Sequence, residues 1–275
     1  MWTLSGFADE IGPDPSEQCA LLRELGIRYL ELRSAWGTNV LDLTDDQLDQ
    51  LRKVLASNDI RVSSIGSPIG KINIAEDFDA HLARMDRAVQ VAIRMEAPFI
   101  RVFSFFLTAD QSPRRHRDEV LRRMHALARR GGDGGVVLLH ENEKHIYGDI
   151  PQRVLDIVES VGLPSLRLAW DPANYVQVGV RPFTEGYRML RPYTDYVQVK
   201  DAVLATGAVV ASGEGDGQLP ETVRALAADG FDGFFSMEPH LATVDQFGGF
   251  TGPADFARAT RAFTGLLDAE GIQYR

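Results

Sequence analysis

The chain has 275 residues, 44% of them hydrophobic and 25% charged, and a net charge of −10. Those are the proportions of a folded globular protein, and the excess acid repels phosphate backbones and anionic lipid, which excludes nucleic acid and membrane surfaces as partners. The single cysteine, Cys19, rules out an intrachain disulfide, and no run of about 18 apolar residues is present to span a bilayer.

Short apolar runs then alternate with longer amphipathic stretches. A strand is predicted over 3–8, then a helix over 15–25 that stops at Gly26 and holds Cys19 as a buried structural thiol. Strand 29–33 leads to helix 45–57, which Thr44 is placed to cap. Strand 61–66, helix 79–95, strand 99–103 and helix 113–130 follow. Gly131-Gly132-Asp133-Gly134-Gly135 marks the connection into strand 136–141. Helix 151–161, strand 166–171, helix 182–190, strand 196–200, helix 220–229, strand 233–238 and helix 253–270 complete the series. Several helices begin at proline, which suits a first helical turn.

Eight strands, each followed by a helix, predict a parallel sheet. Closing it as one (β/α)8 TIM barrel over residues 1–275 removes both sheet edges. An open doubly wound sheet is disfavoured because the first strand–helix turn lacks a glycine-rich dinucleotide fingerprint. Gly213-Glu214-Gly215-Asp216-Gly217 carries two acids and no G-x-G-x-x-G spacing. It reads as a mobile, turn-rich loop after the seventh strand rather than a phosphate cradle. Met1 is followed by neither a basic region nor an apolar core of signal length, so a cytoplasmic location is expected.

Chemistry in such a barrel gathers at the C-terminal ends of the strands. Glu141, Asp171, Gln198 and Glu238 end strands five to eight in succession. Three carboxylates and one amide carbonyl suit a hard divalent ion, Mn²⁺ or Mg²⁺, whereas zinc would call for histidine or cysteine among them. Without an ion, three converging carboxylates repel one another. Arg33, Arg101 and Lys200 end strands two, four and seven and would surround the same mouth, as contacts for an anionic or hydroxyl-rich substrate. Of the six histidines, His81, His116 and His125 fall in helical patterns and are expected to be solvated. His140 is turned away from Glu141's face by strand alternation. His145 falls in a loop, and His240, two residues past Glu238, is a candidate substrate contact.

With these residues in hand, the chain resembles the xylose isomerase-like barrel superfamily, which includes ketose epimerases, inosose isomerases and dehydratases, hydroxypyruvate isomerase and endonuclease IV. The resemblance rests on His140-Glu141-Asn142-Glu143, Asp171-Pro172-Ala173-Asn174, Val197-Gln198-Val199-Lys200-Asp201 and Ser236-Met237-Glu238-Pro239-His240. Ser5-Gly6-Phe7-Ala8-Asp9-Glu10 and Gly66-Ser67-Pro68-Ile69-Gly70-Lys71 are similar to its bacterial sugar isomerase/epimerase members. The family's four metal ligands fall on Glu141, Asp171, Gln198 and Glu238. Many members have histidine where Gln198 stands. Many epimerases also have histidine three residues after the metal aspartate, where this chain has Asn174, here a candidate substrate contact.

The resemblance implies an isomerase or epimerase of a keto-sugar or keto-cyclitol acting through an enediolate, with Glu141 and Glu238 as the acid/base pair on opposite sides of the substrate. Lys200, Arg101 and His240 would orient substrate oxygens. A dehydratase of an inosose or related keto-polyol uses the same enediolate and is the alternative. A sugar-binding barrel without catalysis is the second alternative. A nuclease of the endonuclease IV kind needs a histidine-rich metal cluster that these residues cannot build. Pro239, just after Glu238, lacks an amide donor that a phosphate site would use, so an unphosphorylated substrate is expected. Oligomeric state is left open.

Overall fold

The computed structural model describes residues 1–108, 110–244 and 249–275. Eight parallel strands form the ring: β1 (Thr3–Gly6), β2 (Tyr29–Leu32), β3 (Arg61–Ile65), β4 (Phe99–Val102), β5 (Val137–Glu141), β6 (Leu166–Trp170), β7 (Thr194–Val199) and β8 (Phe234–Met237). The ladder runs β1-β8-β7-β6-β5-β4-β3-β2. β1 and β2 lie side by side and nearly close the barrel without a paired register. Backbone groups at and just before the start of β1 bond instead to residues 273 and 275: Trp2 N donates to Gln273 O at 2.9 Å and Leu4 N to Arg275 O at 2.8 Å.

Around the ring run α1 (Pro15–Glu24), α2 (Asp45–Ser57), α3 (Phe78–Arg94), α4 (Pro113–Asp133), α5 (Pro151–Val161), α6 (Pro172–Gln177), α7 (Leu219–Ala228) and α8 (Pro253–Ala269). Thr44 closes a capping box with Gln47 at the start of α2. Among the described residues, no helix is long and apolar enough to cross a membrane.

Two stretches differ from the expected pattern. Helix α4 runs on through Gly131-Gly132-Asp133 because those glycines let its last turn lie against β5. A Cβ at Gly131 would sit 2.8 Å from Leu138 Cδ2. After β6 the chain turns at once into α6, where Asp171 is the N-cap and accepts Asn174 N at 2.9 Å. The predicted helix over 182–190 is instead a π turn (Phe183–Tyr187), a single turn (Arg188–Leu190) and a 3-10 turn (Arg191–Tyr193).

Strand alternation separates two interiors. Leu30, Leu32, Val62, Ile100, Val102, Leu138, Leu168, Trp170, Val197, Val199, Phe235 and Met237 face the helices in one apolar cluster. Each such side chain, taken fully out of water, contributes about 1.5–3 kcal/mol. The opposite face fills the lumen. Its floor is a small packed group: Leu139, Ala169 and Tyr196, with Phe99 and Phe234 against them.

The loop after β7 departs from the expected mobile turn. Asp201 is buried and its carboxylate accepts four backbone amides: Ala202 N at 2.8 Å, Gly213 N at 2.9 Å, Gly215 N at 3.1 Å and Gly217 N at 2.8 Å. The glycine run is an anion nest that the chain fills with its own side chain. A Cβ at Gly215 or Gly217 would lie 2.5 or 2.6 Å from Asp201 Oδ1.

Candidate functional site

Above the lumen floor the same strand faces become charged. Glu141 ends β5, Asp171 follows β6, Gln198 lies in β7 and Glu238 follows β8. All four are buried. Glu141, Asp171 and Glu238 each bring a carboxylate oxygen within 4.8 Å of the other two. Gln198 stands level with Ser236 of β8, and its Nε2 donates to Glu31 Oε2 at 3.0 Å. Glu141 Oε2, Asp171 Oδ2 and Gln198 Oε1 have no aligned hydrogen-bond donor. Buried acceptors without an aligned donor are costly, and oxygen atoms of this kind are the ligands that a hard divalent cation takes. The donor set therefore fits Mn²⁺ or Mg²⁺.

Cations of the chain hold the same carboxylates. Lys200 Nζ lies 2.7 Å from Asp171 Oδ2 and 3.0 Å from Glu238 Oε2. Arg101 Nη1 lies between the two glutamates, 3.3 Å from Glu141 Oε2 and 3.4 Å from Glu238 Oε1. Arg33 makes a two-pronged pair with Asp9 (2.7 and 3.1 Å) and brings Nη1 to 3.5 Å from Glu238 Oε1. The ring of Phe7 is flanked by both guanidinium groups, Arg33 at 4.6 Å and Arg101 at 4.8 Å from its centroid.

The two glutamates sit in unlike surroundings. Burial pushes the Glu141 carboxyl well above the usual carboxylate range, with Arg101 opposing and Glu238 and Asp171 adding to the rise. Burial also acts to raise Glu238, but Lys200, His240 and Arg101 outweigh it and hold that carboxyl well below the usual range. Asp171 is pushed up to about 6, chiefly by burial and against Lys200. Burial works against the Lys200 ammonium, yet Asp171, Glu238 and Glu141 together hold its pKa well above the usual lysine value.

A further layer braces Glu238. His240 Nε2 lies 3.4 Å from Glu238 Oε1 and 3.3 Å from Glu10 Oε1. Glu10 Oε2 also accepts His240 N at 2.9 Å and the Thr251 hydroxyl at 2.5 Å. Asn174 Nδ2 donates to Glu141 Oε1 at 3.2 Å and to Asn142 O at 2.9 Å. Asn142 in turn pairs with the backbone of Asp171 through both its amide atoms, at 2.8 and 3.0 Å.

The nine residues singled out from sequence all lie in or beside this cluster, but the expected substrate contacts are arranged differently from a ring of free groups at a mouth. Arg33, Arg101, Lys200, His240 and Asn174 each point a polar atom at a carboxylate and are buried. His81, expected to be solvated, is buried, and its Nε2 accepts Gly70 N at 2.7 Å. Burial lowers its pKa to about 4. The bond matters locally because Gly70 has φ +91°, and a Cβ there would meet Phe103 O at 2.0 Å. That turn carries Lys71, which lies 3.4 Å from Glu143 Oε2 and over the Phe103 ring. His140 is fully buried on the helix-facing side, away from Glu141, as alternation requires.

Sequence reasoning missed Glu10, Glu31, Asn142 and Asp201. Glu31 carried a readable signal. In Tyr29-Leu30-Glu31-Leu32-Arg33 it shares the period-two face of Arg33, so a lumen position follows from the strand itself.

Comparison with known proteins adds the following. A family model described as xylose isomerase-like TIM barrel matches residues 19–263. No curated protein matches. Among solved structures, a D-tagatose 3-epimerase-like protein superposes with a TM-score of 0.78 at 14% identity, covering 98% of each chain. The probable 3-DHS dehydratase of petrobactin synthesis from Bacillus anthracis gives 0.75 at 17% identity, over 96% of this chain and 98% of the other. A xylose isomerase-like TIM barrel protein from Mycobacterium smegmatis, in complex with magnesium, gives 0.71 at 18% identity, over 98% of this chain and 96% of the other. At such identities these likenesses speak for the fold.

Proposed function

The chain belongs to the xylose isomerase-like TIM barrel family, and from that premise we propose that it is a divalent-metal-dependent isomerase or epimerase of an unphosphorylated keto-sugar or keto-cyclitol, residues 1–275 acting as one domain. The observation that carries this reading is the convergence of buried carboxylate oxygens of Glu141, Asp171 and Glu238 within 4.8 Å of one another. Glu141, Asp171, Gln198 and Glu238 would hold the ion, Mn²⁺ or Mg²⁺. When bound, it supplies positive charge that makes a proton beside a carbonyl easier to remove.

The chain's own groups would do the rest. Glu238, surrounded by Lys200, Arg101, Arg33 and His240, is kept as a carboxylate able to accept the carbon-bound proton. Glu141, which Arg101 approaches at 3.3 Å, is the group suited to hold a proton and deliver it to the other face of the enediolate. Arg101, touching both, fixes their separation. Asn174 orients Glu141, and Asp171 both caps α6 and holds Lys200.

The charge arrangement bears on substrate class. Arg33, Arg101 and Lys200 are each committed to a carboxylate within 2.7–3.4 Å. A phosphate would have to compete with those carboxylates, whereas sugar hydroxyls can donate to the carboxylates and accept from the cations. A dehydratase using the same enediolate is the second reading, supported by the likeness to the probable 3-DHS dehydratase. Product analysis separates the two.

The test is a panel of free ketoses, inososes and sugar phosphates incubated in D₂O with chelator-stripped protein, with and without Mn²⁺, and read by proton NMR. Deuterium should enter beside the carbonyl of a free sugar or inosose only when Mn²⁺ is present. Exchange that persists in chelator, or a strong preference for a phosphate ester, would overturn the proposal. A panel with no exchange at all would favour a binding barrel without catalysis.

A further inference from the structure

The residue that decides how Gln198 presents itself is Glu31, on the far side of the lumen. Both side chains are fully buried, and Gln198 Nε2 donates to Glu31 Oε2 at 3.0 Å. The other end of the same amide, Gln198 Oε1, has no donor. An amide can be turned end for end with almost no change of shape, so only its neighbours choose which end is which. While Glu31 is ionised, the choice is clear. Turned the other way, the Gln198 carbonyl would face the Glu31 carboxylate, acceptor against acceptor, and the NH₂ would be sent toward the cation site in its place.

The sheet is irregular beside Glu31. The β2–β3 register runs Tyr29↔Arg61 and Leu30↔Val62, then jumps to Glu31↔Ser64. Ser63 is the extra residue. Its hydroxyl donates to Leu30 O at 3.1 Å and lies 2.8 Å from the Tyr196 hydroxyl. Bulges of this kind re-aim a side chain next to a site. β2 and β7 are not neighbours in the ladder, so this contact crosses the barrel interior.

We propose that Glu31 is a positioning residue for the metal centre: by accepting the Gln198 NH₂ across the lumen, it leaves the Gln198 carbonyl as the end offered to a divalent cation. This rests on the reading of Glu141, Asp171, Gln198 and Glu238 as the ligand set. Glu31 does for an amide ligand what a carboxylate partner does for a ligating imidazole, fixing which atom faces the metal.

The test uses Mn²⁺ alone as the probe, titrated into the chelator-stripped full chain by calorimetry and followed by electron paramagnetic resonance. Glu31→Leu should weaken Mn²⁺ binding about 10–100-fold. Gln198→Leu should weaken it at least as much, and the double variant no further than Gln198→Leu alone. A role in general packing would instead add its cost in both backgrounds. Glu31→Gln keeps the volume and one acceptor but lets the amide pair form either way round. It should fold if Glu31→Leu does not, and it should weaken binding about twofold to fivefold, again with no effect in the Gln198→Leu background. Wild-type affinity in both Glu31 variants, or an equal loss whether or not Gln198 is present, would overturn the assignment of Glu31. A wild-type chain that binds no Mn²⁺ would overturn the metal reading itself, and so separates the two failures.

Discussion

Two levels of one lumen stand two residues apart. At the lower level are Phe99, Leu139, Ala169, Tyr196 and Phe234. Two steps along the same strands are Arg101, Glu141, Asp171, Gln198 and Ser236, with Lys200 and Glu238 a further step on. Two residues of strand keep the same face and advance about 7 Å. In that distance the interior passes from aromatic packing, with Tyr196 stacked on Phe234 at 5.6 Å, to a set of buried charges balanced against one another. The lower level has little to satisfy but volume, the Tyr196 hydroxyl finding its partner in Ser63 at 2.8 Å. In the upper level nearly every polar atom needs a partner, and the acceptors without an aligned donor include Glu141 Oε2, Asp171 Oδ2 and Gln198 Oε1. Stability and chemistry are thus divided by height along a strand, not by stretches of sequence.

That division can be broken from either side. The largest effect expected is from Glu238→Gln, which keeps size and one carbonyl oxygen but removes the carboxylate able to take a proton. Turnover should fall by about 10²–10⁴ at saturating Mn²⁺, with metal content measured on the same sample. A fully metallated variant exchanging at the wild-type rate would end the two-glutamate reading. Leu139→Ala, two residues below Glu141, should cost about 2–5 kcal/mol of stability in urea unfolding. Its Mn²⁺ affinity should stay within about twofold of wild type, because no atom of the upper level loses a partner. A loss of affinity in step with stability would show that the floor sets the geometry of the rim.

The smallest effect concerns the turn that carries Lys71. His81 accepts Gly70 N only as the neutral imidazole, and its pKa is depressed to about 4 from the ordinary 6.5. As pH falls through 6.5 the unfolded chain takes a proton that the folded chain refuses until about 4. Stability is therefore lost across that window and the loss levels off below it. His81→Asn keeps an acceptor but does not titrate. Between pH 7 and pH 5 the wild type should lose about 2 kcal/mol more than the variant. Parallel pH profiles for the two proteins would remove His81 from the account of this turn.

Much of this was legible in the chain because barrels write the same message eight times. All eight strands were recognisable from apolar runs, and the charged residues at their ends named the upper level before any coordinate did. What was hidden has physical reasons. The segment 183–193 is helical in three short pieces, and local patterning cannot count turns of unlike pitch. The commitments of Arg33 to Asp9 and of Glu10 to His240 and Thr251 join residues far apart in the chain. No local window contains both partners. Glu31 was readable by alternation but not its use, because its partner Gln198 lies 167 residues further along the chain.

The Asp201 clasp has a consequence for how this chain can change over generations. Its carboxylate and the three glycine amides at 213, 215 and 217 form one object, and no member can be exchanged alone without a clash, a stranded donor or, at Gly213 with φ +88°, a strained backbone. Glu214, exposed between them, is under no such restriction. Drift in this loop is therefore expected to be lopsided, with free substitution at 214 and a block of four positions that is inherited or lost together. Because Asp201 directly follows Lys200, losing that block would also unfasten the backbone that aims the ammonium at Asp171 and Glu238.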